Sequence, residues 1–411
     1  MSTPERKTIA SIVPPSSTAH TTAWPLSDSY DENFLHRLVV CGSGGRAYLG
    51  IIEDVSLVGS AASCQNELTI RNLLSLEENG KPVPVGNVPN VMSQVSFASE
   101  NHLDMFFPRQ EFPKKGYFGL VRETSYPLPF DLDNLCFANT AILAGIKHGK
   151  SHLAALVASQ LHLAGKKVLV IDPTGEWKSE LMDWIKTMFP SIAVSHHTML
   201  AFPSEGTAEE NQLASLLESV FESEKESTLT IMDVAFAEEV DKLYSAVDAV
   251  KHRCGILIDI QRALMRRAQK QYAKFTRGLN TCILIEEAHE FVPNKPLAGI
   301  SEIQEDLSAL FSISTKEFRK YGLGHIFIDQ SLGSISADLQ IRTYFLGAIG
   351  GPRDFKILEA RLGGQVASAA QRTIGGTENP SWIVYGTATP MPTIPWEIVL
   401  TKPENLPLLV K

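Results

Sequence analysis

The 411-residue sequence has few cysteines and no long apolar run. Its five cysteines are odd in number, widely spaced and never part of a C-x-x-C pair, which argues against a disulfide framework or a zinc ribbon. No window approaches the roughly 18 consecutive apolar residues that a membrane-spanning helix needs, and residues 1–33 lack the apolar core of a signal peptide. We therefore expect a soluble protein of a reducing, cytoplasmic compartment with no membrane partner.

The sequence also lacks a surplus of positive charge, since its formal net charge is −9. This balance excludes an evenly basic, histone-like protein, but nucleic-acid binding depends on where positive charge clusters. Residues 201–250 hold twelve acidic side chains against two lysines, and residues 251–280 hold eight basic side chains against one aspartate. The acidity therefore belongs to one stretch, which we expect to face outward or toward a partner, and the adjoining basic stretch remains available to DNA.

Composition divides the chain into three regions. Residues 1–33 are polar and rich in Ser, Thr and Pro, which predicts a flexible leader. Residues 34–128 contain short apolar runs separated by Gly, Asn and Pro, which predicts a small β-barrel domain. Residues 129–411 alternate apolar runs with helical patterns, as in a parallel sheet covered by helices, so we predict an α/β fold. Within this region, residues 208–278 carry mainly helical signals and are interpreted as a helical insertion.

A phosphate-binding pattern follows the strand predicted at residues 141–144. Residues 144–151 fit G-x-x-x-x-G-K-[ST], except that Ala144 replaces the first glycine. Such a loop places backbone N–H groups around phosphate oxygens at a helix N-terminus. The alternative is a chance Gly-Lys-Ser, but the preceding strand and the helix predicted at residues 151–164 favour a nucleotide site. The residues predicted to bind ATP are Gly145, Ile146, Lys147, His148, Gly149, Lys150, Ser151 and His152, with Lys150 on the β- and γ-phosphates and Ser151 on Mg²⁺.

Two carboxylates, Glu286 and Glu287, follow the apolar run 282–285. Carboxylates at the end of a buried strand are costly unless they face a site or a partner. We predict that Glu286 holds the water shell of Mg²⁺ and that Glu287 polarises the attacking water. The alternative is a strand end with two solvated acids.

Two further candidates flank the apolar run 325–328. Gln330 follows the run and is predicted to sense the γ-phosphate, whereas Arg319 precedes it and is predicted to reach the nucleotide of a neighbouring subunit. The alternatives are a capped strand end for Gln330 and a solvated helix terminus for Arg319. Arg342 and Arg353 remain open as alternatives for the arginine that crosses the subunit boundary.

A basic stripe is predicted on a helix within residues 262–277. Side chains at four-residue intervals lie on one helical face, and here they carry positive charge that can track phosphates by counterion release. The alternative is a solvated face paired with nearby acidic helices. No Cys, His or Asp cluster with ligand spacing predicts a transition-metal site. The residues predicted to contact DNA are Arg262, Arg266, Arg267, Lys270 and Lys274.

Four ordered segments resemble motifs of the HerA branch of the HerA/FtsK ATPases, which are hexameric DNA-pumping motors. They are residues 131–135 (DLDNL), 172–177 (DPTGEW), 286–293 (EEAHEFVP) and 318–324 (FRKYGLG), the last followed by Gln330. The resemblance implies a RecA-like P-loop ATPase core in residues 129–411, ending in a C-terminal arm from about residue 380, and a small N-terminal barrel. It also implies a homohexamer that acts on double-stranded DNA with a nuclease or other effector protein.

The sequence departs from those motifs in two places. Ala144, Ile146, Lys147 and His148 stand where the family loop has Gly, Thr, Gly and Ser, and Asp329 stands where a serine is common. Two functions therefore remain open. The first is an ATP-hydrolysing hexameric translocase of double-stranded DNA that serves DNA end processing or anti-phage defence. The alternative is a nucleotide-gated hexameric scaffold that assembles and regulates an effector with little translocation.

Overall fold

The chain divides into two compact units, residues 1–111 with 123–126 and residues 112–122 with 127–411. The computed structural model describes residues 8–14, 16–17, 19–25, 34–35, 37–43, 46–60, 63–77, 79–107, 115–198, 229–234, 246–274, 278–372 and 381–401. Across these ranges, no helix combines the length and the apolar character needed to cross a membrane.

The first unit is a closed antiparallel β-barrel of six strands. Its strands are β1 (Thr8–Val13), β2 (His20–Pro25), β3 (Leu38–Ser43), β4 (Arg46–Ser60), β5 (Ser63–Leu76) and β7 (Gln94–Phe97), with the short β6 (Pro82–Pro84) beside β5. The order β2-β1-β7-β3-β4-β5 closes because β5 also pairs with β2. Alternate residues such as Ile12, Val39 and Leu68 fill the interior. The predicted N-terminal barrel is confirmed, and α1 (Glu100–Phe106) follows it.

The interpretation of residues 1–33 as a flexible leader was wrong for the described part of that stretch. Strands β1 and β2 lie within it and pair with each other, with β7 and with β5. Ala10 and Ile12 are fully buried, whereas the threonines and serines between apolar residues gave the stretch its polar composition. An average over 33 residues conceals a period of two, and that period is the strand signal.

The second unit is built on an eleven-stranded mixed sheet. Its order is β12-β13-β11-β14-β15-β10-β16-β17-β18-β8-β9, parallel from β12 to β16 and antiparallel from β16 to β9. The strands are β8 (Lys115–Val121), β9 (Pro127–Asp131), β10 (Thr140–Leu143), β11 (Lys167–Asp172), β12 (Val194–Thr198), β13 (Leu229–Asp233), β14 (Thr281–Ile285), β15 (Leu323–Asp329), β16 (Thr343–Leu346), β17 (Ser381–Gly386) and β18 (Trp396–Leu400).

The order β16-β10-β15-β14-β11 is that of a RecA-like core, in which one strand separates the phosphate-loop strand from the acidic strand. The predicted α/β class with a P-loop ATPase core is confirmed, and the strands predicted at 141–144, 282–285 and 325–328 are present. The helices of this unit are α2 (Leu132–Phe137), α3 (Lys150–Leu163), α4 (Met182–Met188), α5 (Ala246–Ala273), α6 (Ser301–Glu317), α7 (Pro352–Leu362) and α8 (Gly364–Arg372).

The described parts of residues 208–278 differ from the predicted helical insertion. β13 is a fully buried strand of the central sheet, and α5 packs through Leu257 and Leu264 into the same apolar core as Phe311 of α6. Sequence reasoning missed β13 because a five-residue strand with only three apolar residues, in an acidic stretch, is too short to show a period. The remainder of the predicted insertion, and most of the acidic stretch 201–250, lie outside the described residues.

Two other predicted boundaries also shift. β8 falls within the region assigned to the barrel, yet it pairs with β18 in the core sheet, because its buried run Tyr117–Val121 completes the antiparallel end of that sheet. In the predicted C-terminal arm, β17 and β18 are strands of the same sheet, and residues 402–411 lie outside the described part.

Gly324, near the start of β15, is a position where any side chain collides with the backbone. A Cβ there lies 2.1 Å from the carbonyl oxygen of Cys136 in α2. We expect Gly324→Ala to lower the free energy of unfolding by up to about 3 kcal/mol, because β15 and α2 must separate. Gly255→Ala in α5, where a Cβ meets nothing within 4 Å, is the control and should unfold at equal or higher urea concentration. Equal urea midpoints for Gly324→Ala and the wild type would contradict this packing.

Candidate functional site

The predicted phosphate loop joins β10 to α3 at the carboxyl edge of the parallel sheet. Gly149 precedes α3 with a φ of +77° and no side chain caps the helix, so the first N–H groups of α3 face outward. The loop is fixed at its start because Ala144 N–H donates to Asp329 O at 3.2 Å and Gly145 N–H donates to Ala348 O at 2.8 Å. This arrangement leaves the N–H groups at the start of α3 available to an anion.

The unusual loop residues have distinct surroundings. Ile146 is 79 % exposed, and Lys147 adopts a left-handed φ of +63°, which costs a non-glycine residue about 1 kcal/mol. The His148 ring lies 5.5 Å from the Trp382 ring, and the His152 ring lies 5.7 Å from the Trp184 ring. These two imidazoles are therefore held by aromatic neighbours.

Lys150 and Glu287 form an ion pair across the site. Lys150 Nζ donates to Glu287 Oε1 at 3.2 Å, and both side chains are largely shielded from solvent. Glu287 has a φ of +44°, which is rare for a residue with a side chain and directs the carboxylate out of the strand direction of β14. The structure thus brings together the lysine of the loop and the second carboxylate of the acidic motif.

Glu286 is almost completely buried beside this pair. The indole Nε1–H of Trp177 donates to Glu286 Oε1 at 3.3 Å, whereas Oε2 has no hydrogen-bond partner among the described residues. Desolvation raises the pKa of Glu286 to about 7, against the opposing effects of Lys150 and the Trp177 hydrogen bond. A buried carboxylate oxygen without a partner favours a cation at this position.

The turn after β11 supplies further site residues. Asp172 is fully buried and accepts hydrogen bonds from the backbone N–H groups of Thr174, Gly175 and Trp177. Burial raises the pKa of Asp172, and these bonds lower it in part. The turn places Trp177 against Glu286 and brings Glu176 Oε2 to 3.1 Å from the hydroxyl of Ser151.

Sequence reasoning gave no role to Asp172, Glu176 or Trp177, although the D-P-T-G-E-W run at the end of an apolar strand was the available signal. With these residues, the oxygen donors at the start of α3 are the Ser151 hydroxyl and the Glu176 carboxylate, and Glu286 is close enough to Lys150 for that ammonium to oppose the rise of its pKa. Oxygen donors are the ligands that Mg²⁺ prefers, so the set fits a partly hydrated Mg²⁺.

The raised pKa of Glu286 predicts a pH-dependent stability. The folded protein binds this proton up to about pH 7, whereas the unfolded chain releases it near pH 4.5, so stability falls as pH rises between these values. Above pH 7 we expect Glu286→Gln to be more stable than the wild type by about 3 kcal/mol, and at pH 4 we expect equal stability. Urea unfolding at pH 4 and pH 8 measures this, with the exposed Glu305→Gln of α6 as control. An equal effect at both pH values would contradict the prediction.

A cluster of three groups stands beside the ion pair. His289 Nδ1 lies 3.1 Å from Asp329 Oδ2 and 3.4 Å from Glu287 Oε2, and one ligand atom of each residue lies within 4.8 Å of the others. Burial acts to raise the pKa of Asp329, but hydrogen bonds from His289 and Ser334 outweigh it and the pKa is lowered. The Asp329 carboxylate in turn raises the pKa of His289. Sequence spacing did not indicate this cluster, because 40 residues separate His289 from Asp329.

Gln330 and Arg319 lie at opposite edges of the sheet. Gln330 is exposed directly after β15, on the edge that carries the phosphate loop. Arg319 lies before β15, where its Nη2 donates to Asn134 Oδ1 at 2.8 Å. The seven residues of β15 separate the two positions by about 20 Å, so Arg319 does not reach the loop of its own chain.

The basic stripe is exposed on α5. Arg262, Arg266 and Lys270 are exposed, as is Lys274 just beyond the helix, and Arg267 is half-buried. The first half of α5 lies near the acidic motif, where Arg253 Nη2 contacts Glu290 Oε2 at 2.7 Å. The stripe therefore extends away from the candidate nucleotide site. The acidic stretches that would pair with it in the alternative interpretation lie mainly outside the described residues.

Comparison with known proteins gives one family match. Residues 117–277 match the family model described as the central domain of the helicase HerA. No curated protein matches the sequence. Among solved structures, the chain is similar to VirB4 of Thermoanaerobacter pseudethanolicus, with 12 % identity and a TM-score of 0.46 over 71 % of this chain and 97 % of that one.

Two other solved structures are also similar. One is the genome packaging NTPase B204 from Sulfolobus turreted icosahedral virus 2 in complex with ATPγS, with 14 % identity and a TM-score of 0.35 over 64 % of this chain and 96 % of that one. The other is the monomer form of the pCW3 conjugation coupling protein TcpA with ATPγS, with 12 % identity and a TM-score of 0.41 over 94 % of each chain.

The family match begins in β8 and ends beyond α5, so it includes the phosphate loop, the Asp172 turn and the basic stripe. The acidic motif at residues 286–293 lies outside the matched range, and it resembles a motif of the same family. The resemblance inferred from the motifs is confirmed by this match, which covers the part of the RecA-like core from β8 to α5.

Proposed function

We propose that this protein hydrolyses ATP to move double-stranded DNA. The observation that carries the proposal is the 3.2 Å contact between Lys150 and Glu287, which places a phosphate-binding cation and a candidate general base at one sheet edge. The matched family is described as a helicase, which favours DNA as the substrate of the motor.

Phosphate binding, proton transfer and Mg²⁺ binding are assigned to different residues of the site. The N–H groups at the start of α3 and the Lys150 ammonium bind the phosphates, which draws Lys150 away from Glu287. Glu287 then accepts a proton from the attacking water, as a general base within reach of the γ-phosphate. Ser151 and Glu286 would hold Mg²⁺, which neutralises charge on the β- and γ-phosphate oxygens. Gln330, on the same edge, orients the water or the γ-phosphate.

In this proposal, α5 contacts DNA and Arg319 contacts a neighbouring subunit. The stripe of α5 binds the DNA backbone through positive charge. Arg319, which does not reach its own phosphate loop, completes the site of a neighbouring subunit in a homohexameric ring. A nuclease or other effector would then act on the DNA that the ring delivers, in DNA end processing or anti-phage defence.

ATPase assays with and without linear duplex DNA test this function. We expect DNA to stimulate hydrolysis, and we expect Arg262→Ala/Arg266→Ala/Lys270→Ala to lose that stimulation while it retains the basal rate. Lys356→Ala, an exposed lysine of α7, is the matched control. Native mass measurement with ATP should show six subunits. A monomer with no DNA effect on hydrolysis would overturn the proposal.

The nucleotide-gated scaffold is the second candidate, because Ile146 and the left-handed Lys147 make the phosphate loop unusual. A scaffold would bind ATP and assemble in its presence, but it would not displace a third strand from duplex DNA. Displacement of a triplex-forming strand that requires ATP would decide in favour of the motor.

A further inference from the structure

The two carboxylate oxygens of Glu287 have different basic neighbours. Oε1 accepts a hydrogen bond from Lys150 Nζ at 3.2 Å, whereas Oε2 lies 3.4 Å from His289 Nδ1. The first neighbour belongs to the phosphate loop, and the second belongs to the same turn as Glu287. Nucleotide phosphates compete for Lys150 but not for a histidine on the other side of the carboxylate. We therefore expect nucleotide binding to break the contact with Lys150 and to leave the contact with His289 in place.

His289 is held in place by Asp329 at the end of β15. Its backbone N–H donates to Asp329 Oδ2 at 2.7 Å, and its Nδ1 lies 3.1 Å from the same oxygen. Two contacts to one oxygen fix both the turn and the ring. Nδ1 is hydrogen-bonded to Asp329, and Glu287 Oε2, which has no hydrogen-bond partner among the described residues, lies within ion-pair distance of the same nitrogen.

Asp329 is a rigid anchor for this purpose. Its side chain is 1 % exposed, and Oδ1 accepts from the Ser334 hydroxyl at 2.6 Å and from Gln330 N–H at 2.7 Å. Its carbonyl oxygen accepts from Ala144 N–H at the start of the phosphate loop. The anchor is a point where the sequence departs from the motif it resembles, since a serine is common there.

We propose that His289, anchored by Asp329, is a positioning residue that holds Glu287 in place after Lys150 turns to the nucleotide phosphates. The inference rests on the proposed ATPase function. Glu287 sits on backbone in the left-handed region, so its direction depends on side-chain contacts once Lys150 has left. The imidazole attracts Oε2 at ion-pair distance without a hydrogen bond, so Oε1 is released in a fixed direction and is free to polarise water.

Substitutions at His289 separate this role from a general structural one. His289→Leu removes the Nδ1 donor, and we expect kcat for ATP to fall about 100-fold while the affinity for a non-hydrolysable ATP analogue stays within about twofold of the wild type. His289→Asn retains an N–H donor near the position of Nδ1 and should recover most of kcat. His20→Leu in β2 applies the same replacement to a histidine that also contacts a carboxylate, Glu53 at 3.1 Å, and should leave kcat unchanged.

A double-mutant cycle adds an independent measurement. In single-turnover assays, His289→Leu should have no further effect in a Glu287→Gln background, because its effect passes through that carboxylate. Asp329→Asn tests the same role without changing His289, because it weakens the contact between Asp329 and the imidazole. We expect it to lower kcat and to leave the affinity for the ATP analogue unchanged. Additive effects of His289→Leu and Glu287→Gln would overturn the proposal.

The outcomes also distinguish this inference from the proposed function. Wild-type hydrolysis with unchanged kcat in His289→Leu overturns the positioning role alone, whereas no hydrolysis by the wild type overturns both. Equal losses of kcat in His289→Leu and His289→Asn, together with a loss of affinity for the ATP analogue, would show that His289 has a general structural role. That result would overturn the positioning role. Stoichiometric transition metal in the purified protein that is absent from Asp329→Asn identifies the cluster as a metal site and likewise overturns it.

Discussion

Glu287→Gln should lower kcat for ATP hydrolysis by about 10²- to 10⁴-fold while ATP remains bound. Glutamine keeps the size of the side chain and its contact with Lys150, but it cannot accept the proton of the attacking water. The left-handed backbone of Glu287 and the two neighbours of its carboxylate show that this side chain is held in one direction. A residue held in this way and freed on one oxygen by phosphate binding is suited to be a general base.

Single-turnover hydrolysis, with ATP affinity measured separately by a fluorescent analogue, tests this assignment. We expect affinity within a few-fold of the wild type, because Lys150 and the helix N-terminus still bind the phosphates. Glu302→Gln, an exposed carboxylate in the first turn of α6, is the control. If Glu287→Gln hydrolyses ATP at the wild-type rate, the base is another carboxylate at this edge, and Glu176 beside Ser151 becomes the first candidate.

The parts of the site that lie within one strand, loop and helix could be predicted from sequence. The run from Thr140 to Leu163 combines a buried strand, a glycine turn and a helix start in a fixed spacing, so local pattern defines it. The same holds for β14 and the two glutamates that follow it. In both cases the candidate binding or catalytic side chains lie within a few residues of the strand that positions them, so the sequence pattern alone shows their proximity.

Contacts between distant segments could not be predicted in the same way. Trp177 and Glu286 are 109 residues apart, and His289 and Asp329 are 40 apart, so their pairing depends on the order of β11, β14 and β15 in the sheet. β1 and β13 were missed for a related reason, since their period is visible only over five or six residues and their stability comes from strands elsewhere in the chain.

These distant contacts change how the site is understood. Sequence suggested a loop and two acids, whereas the structure shows two carboxylates in different environments. Glu286 is buried, with Oε1 bonded to Trp177 and Oε2 without a hydrogen-bond partner among the described residues, which suits a cation. Glu287 is partly accessible between Lys150 and His289, which suits a base. Environment therefore separates the roles of two adjacent, chemically identical residues.

Lys150→Ala should reduce ATP hydrolysis by about 10²- to 10³-fold or more and weaken ATP binding by about 10- to 100-fold. The Lys150 ammonium contacts Glu287 at 3.2 Å and therefore lies between the phosphate loop and the acidic motif. Its removal takes away charge that stabilises the developing negative charge on the phosphate oxygens. It also leaves Glu287 Oε1 without its partner.

The loss of the ion-pair partner of Glu287 can be measured separately from the loss of hydrolysis. Because Lys150 and Glu287 are both shielded, removing one partner leaves a poorly solvated charge, so Lys150→Met should lower the unfolding temperature and Lys150→Met/Glu287→Gln should restore part of it. Lys147→Ala removes an exposed side chain from the same loop but keeps the backbone N–H that is predicted to bind phosphate, so this variant should bind and hydrolyse ATP near the wild-type level. Equal losses of hydrolysis in Lys147→Ala and Lys150→Ala would show that the loop needs positive charge in general, and the assignment of Lys150 to the phosphates would then be wrong.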